Sequence, residues 1–205
     1  MRPRIALLAL LLASAGCSST STGSISPLPE RTEASIGGGT RMQMLGHAFA
    51  PPAFHDFCNR YKALCATDGS LRPVELTTRH HAELASVNKA VNRRVIERSD
   101  LATTGREDDW RLPGKYGDCE DFALLKKAEL MKLGWPASAL LLTVARSGGE
   151  GHTVLTVRTT KGDLVLDNMT DAVKDWSRTP YRYFARQSPG NGRNWERIGT
   201  AKPVI

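Results

Sequence analysis

The sequence predicts an α+β domain with its helices ahead of an antiparallel sheet, on three observations. Two stretches before Gly134 carry apolar residues at helical spacing. After Pro136 the pattern changes to short runs rich in Leu, Val and Thr, separated by glycine-containing turns. Helical and strand patterns are therefore segregated along the chain, which argues against a parallel sheet built from βαβ units.

The first helical stretch spans 77–98. Thr77 or Thr78 is placed to cap it, and Leu84, Val87, Val91 and Val95 form its apolar stripe. The second spans 118–133, with Asp118 at the cap position and Phe122, Leu125 and Leu130 facing the core. Gly134 and Pro136 stop it. The nearly continuous Leu and Val of 139–145 read as a strand, followed by a second over 152–159 and a third over 163–168. These form a meander packed on the second helix. The C-terminal part, with Trp176, Tyr181, Tyr183, Phe184 and Trp195, is expected to add one or two strands and an arginine-rich surface.

A chain of 205 residues holds one ordinary domain and a leader. Residues 1–17 read as an export signal: a basic start at Arg2 and Arg4, an apolar run from Ile5 to Ala13, then Ser14-Ala15-Gly16-Cys17. That tetrapeptide resembles a lipobox, in which Cys17 would be lipidated; ordinary signal cleavage is the alternative. Residues 18–42, rich in Ser, Thr, Gly and Pro, bury too little apolar surface to fold and read as a flexible linker. The folded domain is expected over 43–205. The net charge of +7 is scattered among acids rather than gathered into a stripe, which argues against nucleic-acid binding.

Cys119 lies where a glycine loop, Gly117-Asp118, turns into the second helix. A thiol in a first helical turn feels the positive end of the helix dipole, which favours the thiolate. An unpaired cysteine is more often a small core residue. Here, however, Asp118, Glu120 and Asp121 flank it, a setting that does not suit apolar core. A thiolate nucleophile needs a general base, and the base needs an acceptor to orient it. His152 begins one strand and Asp167 ends the next, and an even turn around Lys161-Gly162 puts both side chains on one face of the hairpin.

The segments Gly117-Asp118-Cys119-Glu120-Asp121-Phe122-Ala123, Gly151-His152-Thr153-Val154-Leu155 and Leu164-Val165-Leu166-Asp167-Asn168 resemble the three motifs of the bacterial transglutaminase-like cysteine peptidases. Their order matches, as do the spacings of 33 and 15 residues between Cys119, His152 and Asp167. The resemblance runs over about 51–195. It implies a papain-like, transglutaminase-like core with its nucleophile at a helix N-terminus. It also implies roles: Cys119 as nucleophile, His152 as general base and acid, and Asp167 as the acceptor that orients the imidazole. The best-known members, the LapG type, are calcium-dependent periplasmic proteases that clip a surface adhesin. The expectation is therefore an exported cysteine peptidase acting on an envelope or surface protein. Its location would be the periplasm, with membrane association only through a lipid on Cys17. Amide transfer by the same triad, or a non-catalytic envelope binding module that keeps the fold, are the alternatives. The backbone N–H of Cys119 and the indole of Trp110 are candidate oxyanion donors, and Trp110 is equally well explained by packing.

Calcium follows from the charges as well as from the resemblance. Asp118, Glu120 and Asp121 crowd the thiol, and like charges beside a thiolate raise its pKa. A bound cation reverses that sign, and hard carboxylate oxygens suit calcium. The resemblance puts Asp118 and Glu120 first as ligands, with Asp121 a third; simple helix capping is the alternative. Cys58 and Cys65 would pair in an oxidising compartment. On one continuous helix their sulfurs would stand about 10 Å apart, so a bridge requires a turn between them. Two free thiols or a metal pair are the alternatives. His80 and His81 diverge on their helix and read as solvated, and His47 and His55 carry no assigned role.

Overall fold

A computed structural model describes residues 40–67 and 69–199. The leader, Cys17, residues 18–39 of the linker and the last six residues lie outside the described residues. In chain order the elements are β1 (Met44–Ala48), α1 (Pro52–Arg60), α2 (Lys62–Cys65), α3 (Thr78–Arg94), β2 (Ile96–Glu97), α4 (Asp100–Thr104) and β3 (Tyr116–Gly117). They continue with α5 (Cys119–Lys132), β4 (Leu140–Ser147), β5 (Glu150–Thr159), β6 (Gly162–Asp167), β7 (Thr170–Asp175), β8 (Arg182–Gln187) and β9 (Trp195–Ile198). No helix among the described residues is long and apolar enough to cross a membrane.

The molecule is α+β, as its pattern predicts. A seven-stranded sheet runs in the order β1-β9-β8-β4-β5-β6-β7, every neighbouring pair antiparallel. The expected meander is β4 to β6, and β7 extends it. Two strands, β8 and β9, follow Trp176 and lie on the other side of β4. One departure from the helices-first order is β1, which precedes the helices and closes the far edge against β9. It escaped the pattern because it has five residues, includes Gly46 and is largely exposed. The linker also ends earlier than composition suggested. Thr40 donates through N and Oγ1 to Asp175, Met42 N donates to the Asp163 carboxylate, and Met42 is buried. Long-range bonds to acids of the sheet hold these residues in place, and composition carries no trace of such bonds.

Strand alternation sorts the side chains onto two faces. Leu140, Leu142, Leu155, Val157, Leu164 and Leu166 meet the helices in the main core. Ala145, Val154, Val165, Trp176, Tyr181 and Tyr183 form a smaller core on the other side. Thr77 caps α3 by accepting from His80 N at 3.1 Å. The helix stops at Arg94, short of the expected end, because the β-branched Val95 turns extended and Ile96 and Glu97 pair with β3. The second expected helix, α5, is not amphipathic in the fold. It lies against α3 and the sheet, and every residue from Glu120 to Ala128 is buried, Lys126 and Lys127 included.

Cys58 and Cys65 form a disulfide with Cα atoms 5.4 Å apart. The required turn is Tyr61, which leaves the helical conformation (φ −123°, ψ 62°) between α1 and α2.

Candidate active site

The entry to α5 is set by a close backbone approach. A Cβ on Gly117 would lie 2.8 Å from Asp121 and 2.9 Å from Pro113, so only glycine fits there. Asp118 occupies the N-cap position but does not cap the helix; its Oδ2 accepts from Asp100 N at 3.0 Å instead. Cys119 is the first residue of α5 and is half-buried. Its Sγ accepts from Thr153 N at 3.3 Å and donates to Glu120 Oε2 at 3.2 Å. Burial, and then the charge of Glu120, push the thiol pKa far up.

The hairpin of β5 and β6 brings His152 to Asp167. In its register Asp167 falls opposite Val154, so His152 is offset by two residues along β5 on the same face. His152 Nε2 lies 2.9 Å from Asp167 Oδ1. Burial alone would raise the Asp167 carboxyl, but hydrogen bonds from His152 and Tyr181 outweigh it and hold the group below its ordinary value. The ionised carboxylate accepts, so Nε2 carries the proton and Nδ1 of the neutral ring is the free base.

Asp167 is held from several sides. Tyr181 O–H donates to Oδ2 and Met169 N to Oδ1 at 3.2 Å. The Tyr181 ring lies 5.0 Å from the His152 ring. From α3, Asn88 Oδ1 accepts from Asp167 N at 3.1 Å, and Asn92 Nδ2 donates to Asp167 O at 3.0 Å. Nothing in the linear motifs points to Tyr181, Asn88 or Asn92 here, because Asn88 and Asn92 arrive from α3 and Tyr181 from the segment just ahead of β8.

Cys119 and His152 line one cavity of about 530 Å³, together with Asp108, Trp110, Asp118 and Glu120. Of the two roles expected for it, Trp110 shows the packing one. Its ring packs in the core against Phe54, centroids 5.6 Å apart, while its side chain hydrogen-bonds Asp108 at the cavity wall.

Asp100, Asp118 and Glu120 each point a carboxylate oxygen into one group, the three atoms within 4.8 Å of one another. Asp118 Oδ1 is buried and has no hydrogen-bond partner. Burial, and then the charge of Asp118, push the Glu120 carboxyl up to about 9; burial also raises Asp118. Asp121, named with Asp118 and Glu120 from the sequence, is not in this group. The helical rotation turns it to Arg111, where Oδ1 accepts from Arg111 N at 2.9 Å and Arg111 Nη2 lies 3.6 Å from Oδ2. Asp100 takes its place, brought in by the short parallel β2–β3 pair that draws the chain ahead of α4 alongside the start of α5. The residue type and charge of Asp100 were visible in the sequence, but its distance of 18 residues from Asp118 hid the contact.

Residues 44–203 match the sequence profile of the family described as bacterial transglutaminase-like cysteine proteinase. Three solved structures of Legionella pneumophila LapG are similar to the chain. The calcium-bound one is 24% identical, covers 67% of this chain and 77% of its own, and has a TM-score of 0.47. A second LapG structure is 25% identical, with coverages of 65% and 71% and a TM-score of 0.46. The EGTA-treated one is 25% identical, with coverages of 74% and 78% and a TM-score of 0.49. No curated protein matches the sequence.

Proposed function

The chain belongs to the bacterial transglutaminase-like cysteine proteinases, and on that premise we propose that it is an exported peptidase hydrolysing a peptide bond of an envelope or surface protein. The observation that carries this reading is a thiol and an imidazole lining one open cavity, with Nε2 of the imidazole tied to a carboxylate. Cys119 attacks the scissile carbonyl after passing its proton to His152 Nδ1. His152 then delivers that proton to the leaving amine, and Asp167 stabilises the imidazolium in between. Water, deprotonated by His152, hydrolyses the thioester and frees Cys119.

Asp100, Asp118 and Glu120 suit a hard divalent cation such as calcium: three converging carboxylates and a buried oxygen without a partner. A cation held there would supply positive charge beside the thiol, which favours the thiolate. Cys119 itself provides the nucleophile, and the Thr153 N–H already stabilises charge on its sulfur.

Residues 1–17 are proposed to direct export, with Cys17 as the site of a lipid anchor, and the Ser-, Thr-, Gly- and Pro-rich stretch that follows to tether the domain. The Cys58–Cys65 bridge supports an oxidising compartment. The peptidase reading is tested by labelling with iodoacetamide at neutral pH in the presence of calcium. Stoichiometric alkylation at Cys119, lost in His152→Ala, is expected; an inert thiol in a folded, calcium-loaded protein removes the reading. Export is tested by fractionation and mass spectrometry, in which a soluble protein without diacylglyceryl mass removes the anchor alone.

A further inference from the structure

We propose that a basic, aromatic groove beside the active-site cavity receives an acidic, apolar segment of the protein substrate; this rests on the peptidase reading above. The groove opens between β1 and β8, is about 410 Å³ in volume, and is lined by His47, Phe49, Arg182, Phe184 and Arg197 among others. Arg146 stands opposite Arg182 across the β4–β8 pair. The guanidinium carbons of Arg146 and Arg182 lie 6.0 and 5.6 Å from the centre of the Phe184 ring.

Exposed arginines are ordinary, but their company here is not. No carboxylate lines this groove. Arg146, Arg182 and Arg197 form no ion pair among the described residues, as is true of several other arginines, but these three gather around the Phe184 ring and the groove wall. Arg197 spends one N–H on the Leu45 carbonyl, which fixes its head at the groove wall. Phe49 is 91% exposed and Phe184 38%, so two aromatic rings face solvent between the cations. Guanidinium groups beside open rings take a carboxylate on one side and an apolar side chain on the other.

The groove abuts the active-site cavity. Val144 and Ala145 line the cavity, and their partners across the strand pair, Ala185 and Tyr183, line the groove. β4 and β8 are neighbouring strands, about 4.8 Å apart, so a polypeptide reaching from the cavity to the groove would cross a single strand pair. The signs are opposite, since Glu107, Asp108, Asp118, Glu120 and Glu150 line the cavity. A flanking segment carrying acids therefore finds in the groove the guanidinium partners that the cavity wall lacks, and seating it there sets the register of the scissile bond.

The test uses the full chain as Cys119→Ala, so that binding is read without turnover. A fluorescein-labelled peptide of alternating Glu and Phe is followed by anisotropy, with a Lys and Phe peptide as its counterpart. The Glu peptide is expected to bind and to weaken with salt. The Arg182→Glu/Arg197→Glu protein is expected to lose at least about tenfold in affinity with its circular dichroism unchanged. Should that variant misfold, Arg182→Gln/Arg197→Gln is expected to show a smaller loss in the same direction. Equal binding of the two peptides, or no loss in either folded variant, overturns the proposal. Binding to phosphatidylglycerol vesicles but not to the Glu peptide overturns it in favour of a membrane surface. Binding by the groove together with an inert Cys119 in the alkylation test overturns the peptidase reading and leaves the groove. A reactive Cys119 with no peptide binding does the reverse.

Discussion

The first turn and the middle of α5 both bury charge, and they do so in opposite ways. Lys127 is fully buried; burial lowers its pKa to about 7, and its Nζ donates to Gln187 Oε1 at 2.9 Å. Lys126 is buried over the Phe122 ring, 5.7 Å away, and is likewise lowered to about 7. Burial lowers the pKa of each lysine, while Asp167 and Asp171 act the other way on Lys126, whose Nζ has no hydrogen-bond partner among the described residues. At the first turn, Glu120 meets Asp118 and Asp100, so burial is compounded by like charge. The lysines of the same helix do not serve as partners for these acids. An isolated buried charge is tolerated where it can become neutral, whereas converging carboxylates with an orphaned oxygen form a cavity wall that a cation would complete.

The largest expected effect breaks the comparison at the thiol. Cys119→Ala and His152→Ala are each expected to reduce turnover of a protein substrate by at least about a thousandfold, with circular dichroism unchanged. Asp167→Asn is expected to reduce it by less, through misorientation of the imidazole. Lys127→Met, on the same helix, is expected to stay within about threefold of the parent. Equal losses in Cys119→Ala and Lys127→Met would mean that α5 matters only as a packing element.

Chelation sharpens the comparison at the carboxylates. Stripping with a calcium-selective chelator is expected to lower both the thermal midpoint and the rate of Cys119 alkylation. At calcium a hundredfold above Kd the difference is about 2.7 kcal/mol. Calcium should restore both quantities and magnesium neither, because magnesium keeps its waters and demands a tighter octahedron. Asp100→Asn is expected to abolish the response and Lys127→Met to keep it. Indifference of the parent protein to chelation would leave the carboxylates without a metal role.

The lysine end has its own signature in pH. Unfolded Lys127 titrates near its ordinary 10.5 and the folded one at about 7. Between those values the unfolded chain holds more protons, so this lysine makes stability rise with pH; its penalty is full below about 7. The slope from one such group is at most about 1.4 kcal/mol per pH unit. Denaturant midpoints at pH 7 and pH 9 should therefore separate less in Lys127→Met than in the parent. Identical slopes would show that Lys127 keeps its charge when buried.

The same contrast explains what was legible in the sequence. Cys119, His152 and Asp167 lie in short motifs at element ends, so local pattern and hairpin parity name them and the fold brings Cys119 and His152 to one cavity. The β4 to β6 meander was readable because central strands are continuous runs of Leu and Val. Asp100 and Tyr181 were not, since each reaches its partner through a tertiary contact that no local spacing encodes. The all-round burial of α5 was hidden for a related reason. Spacing names only Phe122, Leu125 and Leu130 as core-facing, and it is packing by the sheet and α3 that also covers Lys126 and Lys127.

The smallest effect concerns Tyr181, a positioning residue whose contact is invisible in the linear motifs. Its hydroxyl donates to the Asp167 oxygen that His152 does not use, and its ring lies against the imidazole. Tyr181→Phe keeps the ring and removes the donor. Asp167 retains His152 and the Met169 N–H, so the carboxylate stays ionised at neutral pH but is freer to rotate. The expected loss is about tenfold in kcat with KM nearly unchanged, equivalent to about 1.4 kcal/mol in the transition state. A purely structural role would instead lower stability without separating kcat from KM. The acid limb adds a second readout. Bonds from His152 and Tyr181 hold the Asp167 pKa below its ordinary value, so their stabilisation is present above that value and is lost as pH falls through the lowered one. With the tyrosine donor gone, the loss should begin at higher pH in Tyr181→Phe than in the parent. An unchanged acid limb and an unchanged kcat would return Tyr181 to the smaller core as a packing residue.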